Sequence, residues 1–127
     1  MKRFIDHENG TITDNQTGLT WMQDANYFEK PMLWKKAVDA CKTLEISNGG
    51  WRLPERFELE SLLDLTRYDP ALPQGHPFEN VQSSYYWSAT TYAYYTSYAW
   101  VVGMYNAGVY NSSKTSHHYY VWPVRDV

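Results

Sequence analysis

The chain is short of the groups that perform chemistry. Cys41 is its only cysteine, so no disulfide can form within it. There is no Gly-rich phosphate loop, no Ser–His–Asp arrangement and no apolar run approaching a transmembrane helix. A net charge of −3 gives no electrostatic reason to expect nucleic acid or membrane insertion. Met1 to Asp6 turns polar at once, unlike a signal peptide. The shortage is sharpest near the C-terminus. Between Ser83 and Tyr120 there is no Asp, Glu, Cys or Arg, and Lys114 is the only charged side chain. Acid–base and nucleophilic catalysis have little to draw on there. We therefore expect no enzyme and no cofactor.

What fills that stretch is tyrosine. It holds ten of the chain's twelve, with seven serines, four threonines, two asparagines and His117-His118. Tyrosine offers a rigid amphipathic surface at low entropic cost, and Ser and Asn add adaptable hydrogen bonding. This is the composition of a recognition surface. The expected contacts are Tyr92, Tyr94, Tyr95, Ser97, Tyr98, Tyr105, Asn106, Tyr110, Asn111, Ser112, His117 and His118. Aromatic anchors would supply most of the affinity to a macromolecular partner, a protein before a glycan.

At 127 residues the chain fits one domain with a single core. Asn9-Gly10 and Thr17-Gly18 mark turns around short strands at Thr11–Thr13 and Leu19–Met22. Leu33, Ala37, Cys41 and Leu44 form an apolar stripe, which predicts a helix over Pro31–Leu44. Leu59, Leu62, Leu63 and Thr66 predict a second over Glu55–Thr66. Cys41 reads as a small buried hydrophobe. Asp69-Pro70, Leu72-Pro73 and His76-Pro77 forbid regular structure. Tyr85–Ala89, Ala99–Val102 and Tyr120–Val124 then read as strands, with a hairpin turn at Asn106-Ala107-Gly108. Helices followed by an antiparallel sheet make an α+β plan.

Three further readings concern single residues. The oxygens from Asp6 to Asn15 lack the spacing of an EF-hand calcium loop, and His117-His118 has no second ligand pair nearby, so no metal is expected. Glu55, Glu58, Glu60 and Asp64 read as a solvated helix face rather than an acid–base pair. Trp51, Arg52, Trp87, Trp100 and Arg125 are assigned to the scaffold, the tryptophans as core and the guanidiniums as holders of loop carbonyls. Stacking of those tryptophans on sugar rings is the alternative.

Four segments carry a resemblance. They are Arg3-Phe4-Ile5-Asp6 with Asp14–Trp21, then Gly50-Trp51-Arg52-Leu53-Pro54 with Glu58-Leu59, then Tyr86-Trp87-Ser88-Ala89-Thr90. The last is Ala99–Val102 with Tyr120-Val121 and Val124-Arg125. In this order they resemble the domain at the C-terminus of the bacterial collagen-like adhesin Lcl. The resemblance implies a C-type-lectin-like fold, related to formylglycine-generating enzymes and to variable proteins of diversity-generating retroelements. Those enzymes depend on paired cysteines, which this chain lacks. It departs from the pattern at Glu55, which replaces Thr and removes a hydroxyl helix cap, and at Trp122-Pro123, which replaces Arg-Cys.

A subset of that family is diversified by reverse transcription that errs at template adenines. Asn codons so altered yield Tyr, Ser, His, Thr, Gly, Ala and Val, the types found between Thr91 and Tyr119. Trp100, Met104 and Lys114 are the exceptions, at framework positions. The region about 91–120 thus resembles a hypervariable segment, which implies receptor recognition from a virion or cell surface. A stable Tyr/Ser-rich binding loop would carry a similar bias. The rival function, which the collagen-like relatives imply, is a polysaccharide-binding adhesin domain; a sulfated glycan would need more basic charge than Lys114 and Arg125 offer.

Overall fold

A computed structural model describes residues 2–126. In chain order the elements are β1 (Phe4–Asp6), β2 (Thr11–Asp14), β3 (Leu19–Met22), α1 (Trp34–Lys42), α2 (Arg56–Ser61), β4 (Tyr85–Thr91), β5 (Tyr98–Gly103), β6 (Val109–Ser113) and β7 (Val124–Asp126). They form an α+β fold with two antiparallel sheets, ordered β1-β2-β3-β7 and β4-β5-β6.

The first sheet joins the two ends of the chain. Thr20 of β3 stands opposite Arg125 of β7. Arg52 extends the β7 side, exchanging backbone bonds of 2.9 and 3.0 Å with Val124. The β1–β2 turn is tied by the Asn9 side chain, which accepts the Thr11 N–H at 3.1 Å. Asp14, fully buried, accepts a paired contact from the Arg3 guanidinium at 3.0 and 2.9 Å. Its carboxylate is thus committed to an ion pair within the fold.

Both helices are shorter than the apolar stripes predict, for reasons of hydrogen bonding. Met32 and Tyr119 exchange backbone bonds of 2.9 and 3.1 Å. That bridge holds the chain extended past Pro31 and delays α1 to Trp34. At the far end of α2, the Asp64 N–H turns to the Ala71 carbonyl at 2.8 Å. A helix needs that N–H for its own preceding turn, so α2 stops at Ser61.

The core has two parts. One lies under the first sheet, where Trp21, Tyr86 and Trp122 are fully buried and in ring-to-ring contact. The other packs Ala37 and Cys41 of α1 against Trp87, Ala99 and Val101. Burial there pushes the Cys41 thiol up to about 12, as expected of an inert core cysteine. The irregular backbone around this core is held by ring N–H groups. Trp51 donates to Ile46, Trp87 to Met32 and Trp122 to Met22, each to a carbonyl at 2.7 or 2.8 Å.

Candidate recognition surface

The sheet β4-β5-β6 displays the tyrosine-rich tail. Successive residues of a strand point to opposite faces, and the register assigns each side chain. Trp87, Val101 and Tyr110 share one face, with Tyr85 opposite Gly103 at its end. Tyr86, Trp100, Val102 and Asn111 lie on the other.

On the first face, Tyr85 is the centre of a group of rings. Tyr105, Tyr110 and Tyr119 stand edge-on to it, with centroids 6.2, 5.6 and 6.1 Å away. His117 stacks on Tyr119 at 6.1 Å, and Tyr119 in turn meets buried Trp87 at 4.9 Å. Tyr105 and Tyr110 are exposed, Tyr110 at 55%. Two glycines make the arrangement possible. A Cβ at Gly103 would lie 2.9 Å from the Tyr85 ring, and one at Gly108 would lie 2.8 Å from that of Tyr110. Asn106 locks the turn between them by accepting the Gly108 N–H at 2.9 Å. Tyr85 also raises the Tyr105 phenol above its ordinary range, chiefly through a side-chain hydrogen bond. Tyr105 therefore meets a partner as an uncharged, hydroxyl-tipped ring.

The remaining expected contacts lie elsewhere. Tyr92, Tyr94, Tyr95, Ser97 and Tyr98 surround the β4–β5 loop, at the opposite end of the sheet from Tyr105. Tyr94 is 87% exposed there. Tyr92 meets Trp100 edge-on at 5.2 Å, and Tyr95 meets Tyr98 at 5.2 Å. Asn111 is exposed on the second face, opposite Trp100. His118 is exposed, whereas Ser112 is buried, its hydroxyl 3.0 Å from that of Tyr119. The expected contacts therefore fall mainly into two groups at opposite ends of the sheet, Tyr92 to Tyr98 at one and Tyr105, Asn106 and Tyr110 at the other, not one continuous surface.

Several scaffold assignments also change. Trp100 and Leu63, expected in the core, are only half-buried, while Trp51, Leu53 and Leu59 are buried. Trp100 faces outward from β5 and is covered by the Arg56 guanidinium, 4.3 Å from its ring. Glu58, expected on a solvated face, is 6% exposed. Its carboxylate receives Arg52 at 2.7 and 2.8 Å and the Glu55 N–H at 2.8 Å. Arg52 thus grips carboxylates, Glu58 and then Asp126, rather than loop carbonyls, and the Glu58 contact raises its already high pKa. Arg125 does hold carbonyls, those of Ser47 and Gly49, and lies over Trp51.

Sequence reasoning missed Tyr85, Tyr119 and Arg56. Alternation puts Tyr85 on the face of Trp87, which was the available signal for the first; its place beside Tyr110 needs the register of the folded sheet. Nothing local marks Arg56 as the neighbour of Trp100. Phe57, Leu65 and Tyr68 also face water, without the ring-to-ring contacts that join the tyrosines of the tail. A groove of about 850 Å³ lies across the first sheet. Its lining of Thr13, Thr20, Asn48 and Arg125 is remote from these rings. Among the described residues no helix is long and apolar enough to cross a membrane, and no group of three or more His, Cys, Asp or Glu is placed to hold a metal.

The model of the Lcl C-terminal domain family matches residues 10–125, so the chain belongs to that family. A comparison with curated proteins gives no match.

Proposed function

We propose that this chain is a recognition module, without catalytic activity, that grips a macromolecular partner through the rings around Tyr85. The partner we favour is a protein. The observation that carries this reading is the joined group Tyr85, Tyr105, Tyr110 and Tyr119, open to water at Tyr105 and Tyr110. Exposed, grouped rings are uncommon on a monomer and mark interaction sites. The only charge in the tail, Lys114, is already committed, donating to Thr91 and Thr96 at 2.9 and 3.0 Å and lying over Trp34. An uncharged surface of this kind fits a protein better than an anionic glycan.

The fold we assign is C-type-lectin-like, a reading supported by the pairing of β7 with β3 that closes both chain ends into one sheet. The tail we read as diversified. Its exposed and half-buried positions Tyr92, Tyr94, Tyr105, Asn106, Tyr110 and Asn111 are types reached from Asn codons. The exceptions are held by their surroundings: Met104 is fully buried, Trp100 lies under Arg56 and Lys114 is hydrogen-bonded. The gene neighbourhood tests this. A reverse-transcriptase gene and a near-copy of the 3′ end, differing only at adenines in the copy, are expected; absence of both removes the diversified reading.

One observation favours the polysaccharide alternative. Exposed Tyr94, beside Tyr92, offers a ring of the kind on which sugars stack.

A further inference from the structure

Among the described residues no strand pairs with the outer edge of β6, and its pattern is complementary to itself. The hydrogen-bonding parity of β6 follows from two contacts at its ends. Gly103 donates its N–H to Gly108 at 2.7 Å, and Lys114 donates to Ser97 at 3.0 Å. Both pairs have the same parity in the β5–β6 register. In an antiparallel ladder bonded and non-bonded pairs alternate, so Tyr110 and Ser112 spend their backbone groups on β5. Val109, Asn111 and Ser113 must then aim theirs outward. Among the described residues, no turn, loop or bridge contact engages the N–H or C=O of those three.

Proteins usually protect such an edge with a charge, a proline or a bulge. The run Val109-Tyr110-Asn111-Ser112-Ser113 has neither charge nor proline, and its register with β5 is unbroken. The sheet it ends has three strands, fewer than is usual.

We propose that two copies of this chain pair antiparallel along β6, about a twofold axis through Asn111, to make one continuous sheet. The parity supports the choice of a second copy. With Asn111 on the axis, outward-facing residues meet outward-facing residues: Asn111 faces its own counterpart, and Val109 faces Ser113. Each facing pair exchanges both backbone bonds. No like charges meet, and the two Asn111 amides can bond to each other. Tyr110 comes to face Ser112 of the second copy, so the two groups of rings lie side by side on one face. Twofold closure leaves no open edge at β6, so assembly stops at the dimer. This inference stands on the backbone and does not depend on the recognition reading.

The test is sedimentation equilibrium of the full chain from micromolar to millimolar concentration, with amide hydrogen exchange. A monomer–dimer equilibrium is expected. The Val109, Asn111 and Ser113 amides should gain protection as concentration rises, while those of Tyr110 and Ser112 stay protected throughout. Asn111→Pro removes an outward N–H, where an edge strand tolerates proline, and should weaken association at least about tenfold with little change in Tm. If that variant fails to fold, Asn111→Lys places like charges at the axis and should do the same. A monomer at every concentration, a dimer indifferent to both variants, or a dimer whose edge amides exchange freely would each overturn the proposal.

Discussion

Thr90 caps a helix that begins thirty-four residues before it: its hydroxyl accepts the Arg56 N–H at 2.8 Å. The same hydroxyl donates to the Glu55 carboxylate, also at 2.8 Å. Glu55 brings no hydroxyl of its own to the start of α2; the hydroxyl is supplied from β4. A lost cap costs about 1 kcal/mol. Thr90→Val should therefore lower stability by about that much in urea unfolding. In a Glu55→Ser background, where a local hydroxyl is available, the same change should cost less. Equal costs in both backgrounds would show that Thr90 does not act as the cap.

Arg52 and Glu58 join α2 to the first sheet. Removing one partner of a buried pair strands a charge in the interior. Glu58 is the more buried partner, and Arg52 keeps about a third of its surface. Arg52→Ala should consequently cost about 3 kcal/mol, the low end of the range for such losses. Lys35→Ala, at an exposed pair on α1, should cost under about 0.5 kcal/mol. Similar losses for the two variants would contradict the assignment.

His76 should make stability fall in mild acid. Burial holds its pKa below the ordinary 6.5, and its Nδ1 accepts the Phe78 N–H at 3.1 Å, which requires a neutral ring. A group with a depressed folded pKa contributes stability that is full above the unfolded pKa and lost as pH falls through the folded one. The wild type should thus lose more stability than His76→Gln as pH drops below 6.5. An NMR titration of the ring should give a midpoint under that value.

Trp87 and Trp100 separate core from surface. Trp87 is fully buried and bonded to Met32, so Trp87→Ala should cost about 3–5 kcal/mol. Trp100 is half-buried beneath Arg56, and its truncation should cost about 1–2 kcal/mol. Thermal melts of the two variants give the order directly.

The α+β plan was legible because most of its signals are local. Turn residues at Gly10 and Gly18 frame real strands, and the stripe of Ala37 and Cys41 faces the core as its spacing requires. The helix ends were not legible, since they depend on partners distant in sequence, Tyr119 for α1 and Ala71 for α2. The tyrosine-rich composition of the tail was legible at once. The separation of its rings between the two ends of the sheet was not, because pairing and register come only from the folded sheet. Trp100 shows the difference: as a residue type it belongs in a core, yet it is half-buried under Arg56, a neighbour that only the folded chain brings to it.

The account rests on the claim that the rings around Tyr85 are for binding rather than for folding. The double variant Tyr105→Ala/Tyr110→Ala tests it most directly, with thermal melting and with binding to an array of proteins and polysaccharides measured on the same preparations. Both rings stand in water, so Tm should stay within about 2 °C of the wild type. A protein signal seen with the wild type should be lost, each anchor costing about 2 kcal/mol. A double variant that unfolds, or one that keeps every signal of the wild type, would contradict the claim.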